Sequence, residues 1–229
     1  MIARVVCFDL YGTLLDFASL DEEVGQHGIP RPSEFVAAWR RKQIEYAWSG
    51  SLSQNYRDFD EITANALEFV ASGLGIELDA ITRAALVDAW RGLPAFPDVV
   101  PALRALSAHG VPLAVLTNGT SFSANSALAN AGLRPYISDL LSVERVRVYK
   151  PDPRVYAMAT ERFTCAPREV VFVSSNGWDA YGAARFGFRV AWVNRGGHAP
   201  EVLAPAPETT IRTLAELEPF VLGVLAAVR

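Results

Sequence analysis

The chain has 229 residues, of which 51% are hydrophobic and 20% are charged, and its formal net charge is −4. These values fit a globular protein with one large domain or two unequal ones. The 21 Lys and Arg residues face 25 Asp and Glu residues without a long block of one sign, which argues against a nucleic-acid partner but not against a small anionic ligand.

The first predicted element is a strand, VVCFDL at residues 5–10. Its apolar residues are continuous rather than alternating, as expected for a strand that is covered on both faces of a parallel sheet. Asp9 is the exception. An ionised carboxylate is costly in an apolar interior, so such a group is usually paired, protonated or placed where a strand reaches solvent. Asp9 is therefore a candidate functional residue.

Helical patterns, without a convincing strand, fill the next stretch of about eighty residues. Ser33 is suited to cap a helix that runs through WRRKQIEY, and Asp79 is suited to cap another through Trp90. Between them, apolar residues recur at helical spacing. These are Phe59, Ile62, Ala66, Phe69 and Val70.

Three more strand-like runs follow: PLAVLTN at 112–118, VVFVSSN at 170–176 and FRVAWVN at 188–194. Helical patterns lie between them, for example at 98–110. This alternation predicts an α/β fold with a doubly wound, Rossmann-like parallel sheet. We expect this core to comprise residues 1–15 and 96–229, with a helical cap subdomain over 16–95 inserted after the first strand.

The C-terminal part contains a predicted loop, EVLAPAPETT at 201–210, and then a helix. TLAE at 213–216 has the pattern of a capping box. The apolar residues that would pack this helix on the sheet are Leu217, Phe220, Val221, Leu225 and Val228.

Ligands of open parallel sheets bind beyond the carboxyl ends of the strands. Each predicted strand ends there in polar residues, which should gather in one crevice. They are Asp9, Thr117, Asn118, Ser174 and Asn176. Lys150 follows another apolar segment, LLSVERVRVY, and could join them. The cap leaves from the same edge and is positioned to exclude water from the crevice.

The two cysteines, Cys7 and Cys165, are far apart and form no C-x-x-C pair, which argues against a zinc site or a redox motif. No signal-peptide pattern is present, and the longest apolar stretch near the C-terminus is too short to span a bilayer. We therefore expect a cytoplasmic protein with reduced thiols and no membrane partner.

Several separated motifs resemble those of the haloacid dehalogenase superfamily, and within it the L-2-haloacid dehalogenases. DLYGT at 9–13 resembles the nucleophile motif, LTNG at 116–119 the second motif, and YKPDPRVY at 149–156 the lysine motif. FVSSNGWDAYGA at 172–183 resembles the acidic fourth motif, and WRRKQIEY at 39–46 the arginine-bearing cap helix. The order, spacing and placement after strand-like runs carry the resemblance over nearly the full length.

Most members of this superfamily are magnesium-dependent phosphatases with a D-x-D first motif. In this chain Tyr11 stands in the place of the second acid, and the fourth motif keeps only Asp179 beside the neutral residues at 174–176. Mg²⁺ requires oxygen ligands that include carboxylates. We therefore expect a site without metal or other cofactor.

The resemblance implies that Asp9 attacks C2 of a short (S)-2-haloalkanoic acid, expels halide and forms an ester, which water then hydrolyses to a 2-hydroxyacid with inverted C2. Lys150 would keep Asp9 ionised and bind the substrate carboxylate. Arg40, with Asn118, would receive the departing halide. Arg41 stands where some relatives have Gln, which makes the pocket mouth more cationic.

The same match assigns the remaining site residues. An apolar pocket around the alkyl group is expected from Tyr11, Ile44, Phe59 and Trp178. The substrate carboxylate is expected to meet the Thr117 hydroxyl and backbone N–H groups near Leu10, Tyr11 and Asn118. The resemblance implies that Asp179, with Thr13, Ser174 and Asn176, orients or deprotonates the hydrolytic water. It also implies that Tyr156 orients Lys150 or Asp179. The sequence leaves open which group is the general base.

Alternative functions stay open at this point. A phosphatase acting on a small phosphate ester is the nearest rival, and fluoroacetate cleavage is a variant of the leading hypothesis. A non-catalytic binding protein on the same scaffold is a third reading, because fold does not guarantee function. Relatives of this kind are often homodimers, which the apolar cap helices could support.

Overall fold

The computed structural model of the protein describes residues 3–226. The strands in that range form one sheet in the order β3-β2-β1-β4-β5-β6, and every pair is parallel. The strands are β1 (Val5–Phe8), β2 (Leu113–Thr117), β3 (Asp139–Ser142), β4 (Val170–Ser174), β5 (Arg189–Val193) and β6 (Thr209–Ile211). This is the α/β fold with a parallel sheet that the sequence predicted.

Strand β1 lies in the middle of the sheet, between β2 and β4. Its side chains alternate between two hydrophobic clusters: Val6 and Phe8 belong to one, Val5 and Cys7 to the other. Since both faces of the strand are covered, all of these residues are apolar, which accounts for the continuous run in the sequence.

Helices of the core cover both faces of the sheet. They are α5 (Val99–Ala108), α6 (Ser121–Asn130), α7 (Pro153–Phe163), α8 (Gly177–Phe186) and α9 (Leu217–Ala226). Side chains of α5 and α9 join the cluster that contains Val6, and those of α7 and α8 join the cluster that contains Cys7. Within residues 3–226, no helix is long and apolar enough to cross a membrane.

An all-helical insertion follows β1. It consists of α1 (Ala18–Gln26), α2 (Pro32–Leu52), α3 (Phe59–Gly73) and α4 (Ala80–Ala89). The chain leaves and re-enters the core side by side, because the Asp16 N–H donates to the Pro94 carbonyl (2.8 Å) and the Phe96 N–H to the Leu14 carbonyl (3.1 Å). The cap subdomain boundaries at 15/16 and 95/96 stay a prediction.

The predicted cap of α2 is wrong. The helix begins at Pro32, and its N-cap is Arg31, whose φ of 51° is left-handed. Proline at the first helical position has no N–H to satisfy, which favours this start. Ser33 lies inside the first turn and donates its hydroxyl to Asp21 Oδ2 (2.6 Å) instead.

Two other helix predictions need correction. Phe69 does not belong to the buried face of α3, because it is 51% exposed and the Lys42 ammonium lies 4.0 Å from its ring centroid. At residues 213–216 the Thr213 hydroxyl accepts from the Ala215 N–H, but Glu216 accepts from the Arg212 N–H, so the capping box is incomplete. A 3-10 turn precedes α9 there.

The loop predicted at 201–210 is wrong at its end, since its last residues start β6, which pairs with β5. A three-residue edge strand has too few residues for a clear alternating pattern. Two apolar positions assigned to the last helix, Leu225 and Val228, lie outside the residues whose side chains the structure describes.

The helix caps give a first prediction. Asp58 is the N-cap of α3, and its carboxylate accepts from the Glu61 N–H at 2.8 Å. We expect Asp58→Ala to lower the free energy of unfolding by about 1 kcal/mol, because an orphan N–H loses its acceptor. Ser33→Ala, at the position that only the sequence suggested as a cap, should change it by less than about 0.5 kcal/mol. Urea denaturation of the two variants measures both, and equal losses would contradict this account of the caps.

Candidate active site

Asp9 follows directly after the central strand, at its carboxyl end. Both carboxylate oxygens are held: Oδ1 accepts from Lys150 Nζ (3.0 Å), and Oδ2 accepts from the Thr13 hydroxyl (2.9 Å) and Asn176 Nδ2 (2.9 Å). The side chain is 10% exposed. These three donors fix the orientation of the carboxylate.

Lys150 joins Asp9 to a second carboxylate. Its Nζ also donates to Asp179 Oδ2 (2.9 Å), and the other oxygen of Asp179 accepts from the Tyr156 hydroxyl (2.8 Å). Neither Lys150 nor Asp179 is exposed. Of the two partners that the sequence left open for Tyr156, its hydroxyl bonds to Asp179.

Burial and charge act in opposite directions on this group. Burial alone would lower the pKa of Lys150, but the carboxylates of Asp179 and Asp9 outweigh it, so the pKa is raised and the ammonium keeps its charge. Burial raises the pKa of Asp179 to about 6, and the charge of Asp9 acts in the same sense, whereas Lys150 and Tyr156 oppose it. Asp179 is thus more basic than an ordinary carboxylate.

The turn after Asp9 is held by the neighbouring strand. Thr13 Oγ1 accepts from the Ser175 N–H (2.8 Å), and the Ser175 hydroxyl donates to the Gly12 carbonyl (2.7 Å). Gly12 has a φ of 85°, and a Cβ there would lie 2.7 Å from the Phe17 ring, so glycine is required. Thr13 therefore serves both the turn and the carboxylate of Asp9.

Asp9 faces a small cavity of about 40 Å³ between core and cap. One water molecule needs roughly 10–15 Å³ on this measure, so the cavity suits a ligand of very few atoms. Nine of the predicted site residues line it: Asp9, Tyr11, Arg40, Ile44, Phe59, Thr117, Asn118, Asn176 and Trp178. Gln43 and Trp90 also line it and were not predicted.

Six predicted residues lie behind the lining. Their side chains are buried next to the lining residues or in the core and do not line the cavity. They are Leu10, Thr13, Lys150, Tyr156, Ser174 and Asp179. Leu10 packs in the hydrophobic core, so only its backbone is available to a ligand. The Ser174 hydroxyl accepts from the Asn176 N–H (3.2 Å).

Arg40 projects from α2 to the wall of the cavity opposite the sheet. Its guanidinium carbon lies 3.3 Å from the Phe17 ring centroid, a cation–π contact. Burial lowers the pKa of Arg40 to about 9, an effect that the charge of Asp9 opposes, so the group is charged at neutral pH. Among the described residues, no carboxylate forms an ion pair with it. The side chain is thus available to an anion in the cavity.

The two lining asparagines have fixed orientations. The Lys150 N–H donates to Asn118 Oδ1 (3.0 Å), so the Asn118 amide N–H₂ group is free to donate elsewhere. In Asn176 the orientation is set by Nδ2, which donates to Asp9. Trp90 carries another donor, since its buried Nε1 has no hydrogen-bond partner among the described residues.

A wider, open groove of about 750 Å³ adjoins the cavity. The two share Arg40, Ile44, Asn176 and Trp178, and the groove continues along α2 past Arg41 and Trp48. Arg41 is exposed there. The groove connects solvent with the cavity that Asp9 faces, and it is lined by the acidic Glu45 as well as by Arg40 and Arg41.

Within residues 3–226 there is no group of three or more His, Cys, Asp or Glu side chains arranged to hold a metal ion. The position between the two acids of the site is taken by the Lys150 ammonium.

Comparison with protein families matches residues 3–187 to the haloacid dehalogenase-like hydrolases. The chain is 42% identical to an (S)-2-haloacid dehalogenase of Pseudomonas sp. (strain YL) over 215 residues, which cover 93% of each chain.

Two solved structures are similar over nearly the whole fold. The L-2-haloacid dehalogenase RSc1362 has a TM-score of 0.94 and 37% identity, with 97% of this chain and 100% of the other covered. The second is an L-2-haloacid dehalogenase from Xanthobacter autotrophicus with chloropropionic acid covalently bound. Its TM-score is 0.90 and its sequence identity 34%, and the match covers 97% of this chain and 99% of the other.

The bond between Tyr156 and Asp179 gives a second prediction. At pH 7.5, above the pKa of Asp179, Tyr156→Phe should lower the free energy of unfolding by about 2 kcal/mol, because the lost hydrogen bond is to a buried charge. At pH 5 the carboxyl is mostly protonated and the loss should fall to about 1 kcal/mol. Urea denaturation at the two pH values measures the difference.

Tyr149→Phe is the matched control. The Tyr149 hydroxyl donates to the neutral carbonyl of Arg57 (2.6 Å), so its loss should be about 1 kcal/mol at both pH values. A loss in Tyr156→Phe that is equally independent of pH would mean that Asp179 does not change its charge in this range.

Proposed function

The chain belongs to the haloacid dehalogenase-like hydrolases, and on that premise we propose that it hydrolyses short (S)-2-haloalkanoic acids to 2-hydroxyacids, with inversion at C2. The observation that carries this proposal is that Asp9, held by three donors, and Arg40, which has no carboxylate partner among the described residues, line the same small cavity. A nucleophile and a receptor for the leaving anion are both present there. The similarity to (S)-2-haloacid dehalogenases supports the same activity.

Asp9 is proposed as the nucleophile. One of its oxygens attacks C2 of the substrate, a C–O bond forms as the C–halogen bond breaks, and the halide leaves with the bonding electrons. The Lys150, Thr13 and Asn176 donors limit the motion of the carboxylate, so it is oriented before the substrate arrives. Attack from the face opposite the halogen inverts C2.

Arg40 and Asn118 are proposed to receive the halide. Arg40 has no competing carboxylate among the described residues, and the free N–H₂ group of Asn118 faces the same cavity. A chloride or bromide released into a space without bulk water needs such donors. The Phe17 ring holds the guanidinium in place.

The carboxylate of the substrate needs donors on the core side. The Thr117 hydroxyl oxygen accepts from the Gly119 N–H (3.0 Å), which leaves its proton free to donate to the substrate. We assign the same role to backbone N–H groups near Leu10, Tyr11 and Asn118, whereas Lys150 lies behind the lining and acts through Asp9. Tyr11, Ile44, Phe59 and Trp178 would enclose the alkyl group.

Water then attacks Cγ of the Asp9 ester, and the bond from Cγ to the oxygen on C2 breaks. The 2-hydroxyacid leaves with one proton of the water on its hydroxyl, and the water oxygen stays on Asp9. We propose Asp179 as the base that takes the proton, since its raised pKa of about 6 suits proton transfer near neutral pH. Thr13, Ser174 and Asn176 would orient the water. Asp179 has no exposed surface in the resting state, so this step requires a water molecule to enter beside Asp9.

The alternatives fit the site less well. A phosphatase of this superfamily needs a cation between its acids, but here Lys150 already lies between Asp9 and Asp179, and Tyr11 replaces the second acid. A binding protein without activity has no use for a buried nucleophile held by three donors. Fluoroacetate cleavage would use the same groups but asks for stronger stabilisation of fluoride.

We further propose that the protein is cytoplasmic and forms a homodimer. Both cysteines are free, which suits a reducing compartment. Leu52, Phe69 and Leu74 are more than half exposed on the cap helices, and burying them in a dimer would remove apolar surface from water.

Halide release is the direct test of the proposed activity. We expect chloride release from (S)-2-chloropropionate in excess EDTA, with the R enantiomer inert and Asp9→Asn inactive, because the amide cannot act as the nucleophile. Ion chromatography measures the chloride, and chiral analysis of the lactate reports the inversion. EDTA-sensitive hydrolysis of a phosphate ester, without halide release, would establish the phosphatase instead.

Trp90 should limit the length of the substrate. It fills one side of the cavity, and its Nε1 has no partner, so Trp90→Phe removes volume without leaving a buried acceptor unpaired. We expect kcat/KM for 2-chlorobutyrate relative to 2-chloropropionate to rise about tenfold, since one methylene in a pocket is worth roughly that much. Halide release from the two substrates measures the ratio.

Thr117→Ser, which removes a methyl group from the same cavity, should raise this ratio by less. Phe122→Leu, on an exposed face of α6, is the control and should leave it unchanged. A Trp90→Phe enzyme with the parent's ratio would mean that other residues set the limit.

A further inference from the structure

One face of α2 meets the core. Arg40, Ile44, Trp48 and Ser51 recur at intervals of three or four residues, so their side chains project from the same side of the helix. Arg40 and Ile44 line the cavity. Trp48 and Ser51, nearer the end of the helix, contact the segment that carries Lys150.

Trp48 supplies a donor to the backbone of Lys150. Its Nε1 donates to the Lys150 carbonyl at 3.1 Å. Because Lys150 is fully buried, water does not compensate for this bond if it is lost, and a buried carbonyl without a donor is costly. The bond joins the cap helix to the residue whose ammonium holds Asp9 and Asp179.

Ser51 makes a second bond to the same segment. Its hydroxyl oxygen accepts from the Tyr149 N–H (3.0 Å), and the hydroxyl donates to the Ala47 carbonyl (3.0 Å), so its orientation is fixed. From the core side, Asn118 accepts from the Lys150 N–H. The backbone at 149–150 thus makes two hydrogen bonds to side chains of the cap and one to a side chain of the core.

The Trp48 ring has a separate contact. It packs edge-on against Trp178, with ring centroids 5.7 Å apart and planes at 89°. The side chain is 37% exposed in the groove that leads to the cavity. A phenyl ring can keep this contact while lacking the N–H donor, so the two roles of Trp48 are separable by mutation.

We propose that Trp48 is a positioning residue, which holds the Lys150 carbonyl from the cap and thereby fixes the Lys150 ammonium between Asp9 and Asp179. The site is complete only when α2 is docked on the core. Only the expected effect of Trp48 on halide release rests on the proposed function. The placement of Lys150 is a property of the resting protein and is measured without substrate.

The first measurement is the titration of Asp179 in the resting protein, followed by carboxyl ¹³C NMR and assigned with Asp179→Asn. The titratable groups around Asp179 are Lys150, Tyr156 and Asp9. The Lys150 ammonium lowers the pKa of Asp179, so a displaced ammonium raises it. We expect Trp48→Phe and Ser51→Ala each to raise it by about half a unit or more.

The second measurement is halide release. Because a displacement of about 1 Å of a catalytic group can cost up to a hundredfold, we expect Trp48→Phe to lower kcat/KM for (S)-2-chloropropionate roughly tenfold. The acid limb of the rate–pH profile should move to higher pH with the pKa of Asp179.

Ser53→Ala is the matched control, since the Ser53 hydroxyl donates to the Ser49 carbonyl within the end of α2 itself (2.7 Å). It should titrate and react like the parent. An unchanged Asp179 titration in Trp48→Phe overturns the proposal, even if the melting temperature or the rate falls. If the parent protein releases no halide, a raised pKa of Asp179 in Trp48→Phe still supports the positioning role, and only the proposed function is rejected.

Discussion

The Lys150 ammonium lies 3.0 Å from an Asp9 oxygen and 2.9 Å from an Asp179 oxygen, and the lysine side chain is 1% exposed. In so dry an environment, the Lys150 ammonium is not tolerated without a carboxylate partner, because removing its partners leaves an uncompensated buried charge. The sheet accounts for the arrangement. Asp9 ends the central strand, Asp179 lies in the first turn of the helix after the adjacent β4, and Lys150 comes from a connection that reaches the same edge.

The cap provides what the sheet cannot. A parallel sheet presents donors at its carboxyl edge but leaves them open to water, and α2 closes that edge with one face while its other face packs against α3. Trp39 belongs to the packed face and donates to the Thr63 carbonyl, while Gln43 lies between the two faces, lines the cavity and donates to the Thr63 hydroxyl. The face toward the core carries Arg40, and Trp48 bonds there to the Lys150 segment. A single helix therefore carries the proposed anion receptor and part of the support for the lysine, so the proposed catalysis depends on its docking.

Much of this was predictable, for identifiable reasons. The central strands are buried on both faces, so their sequences are continuous apolar runs, and Asp9 was conspicuous because it interrupts one of them. Helix α1 was missed because it buries only Leu20 and Val24 and has a short apolar pattern. Gln43 and Trp90 line the cavity but were not predicted, since a glutamine on a helix and a tryptophan at a helix end have ordinary structural explanations. Gln43 could have been predicted from its spacing, because it lies three residues after Arg40 and therefore next to it on the helix surface.

The charges of the site also explain why one carboxylate can attack and another can later act as a base. In the resting state the charge of Asp9 contributes to the raised pKa of Asp179, while Lys150 opposes it. In the mechanism that we propose, Asp9 loses its charge when it becomes an ester, and negative charge moves to a halide beside Arg40, on the cap side of the cavity. The repulsion from Asp9, which contributes to the raised pKa of Asp179, is then removed, and Lys150 interacts with Asp179 alone. Burial, the larger cause of the raised pKa, remains, so Asp179 is ionised beside Lys150 and can still take the proton from water.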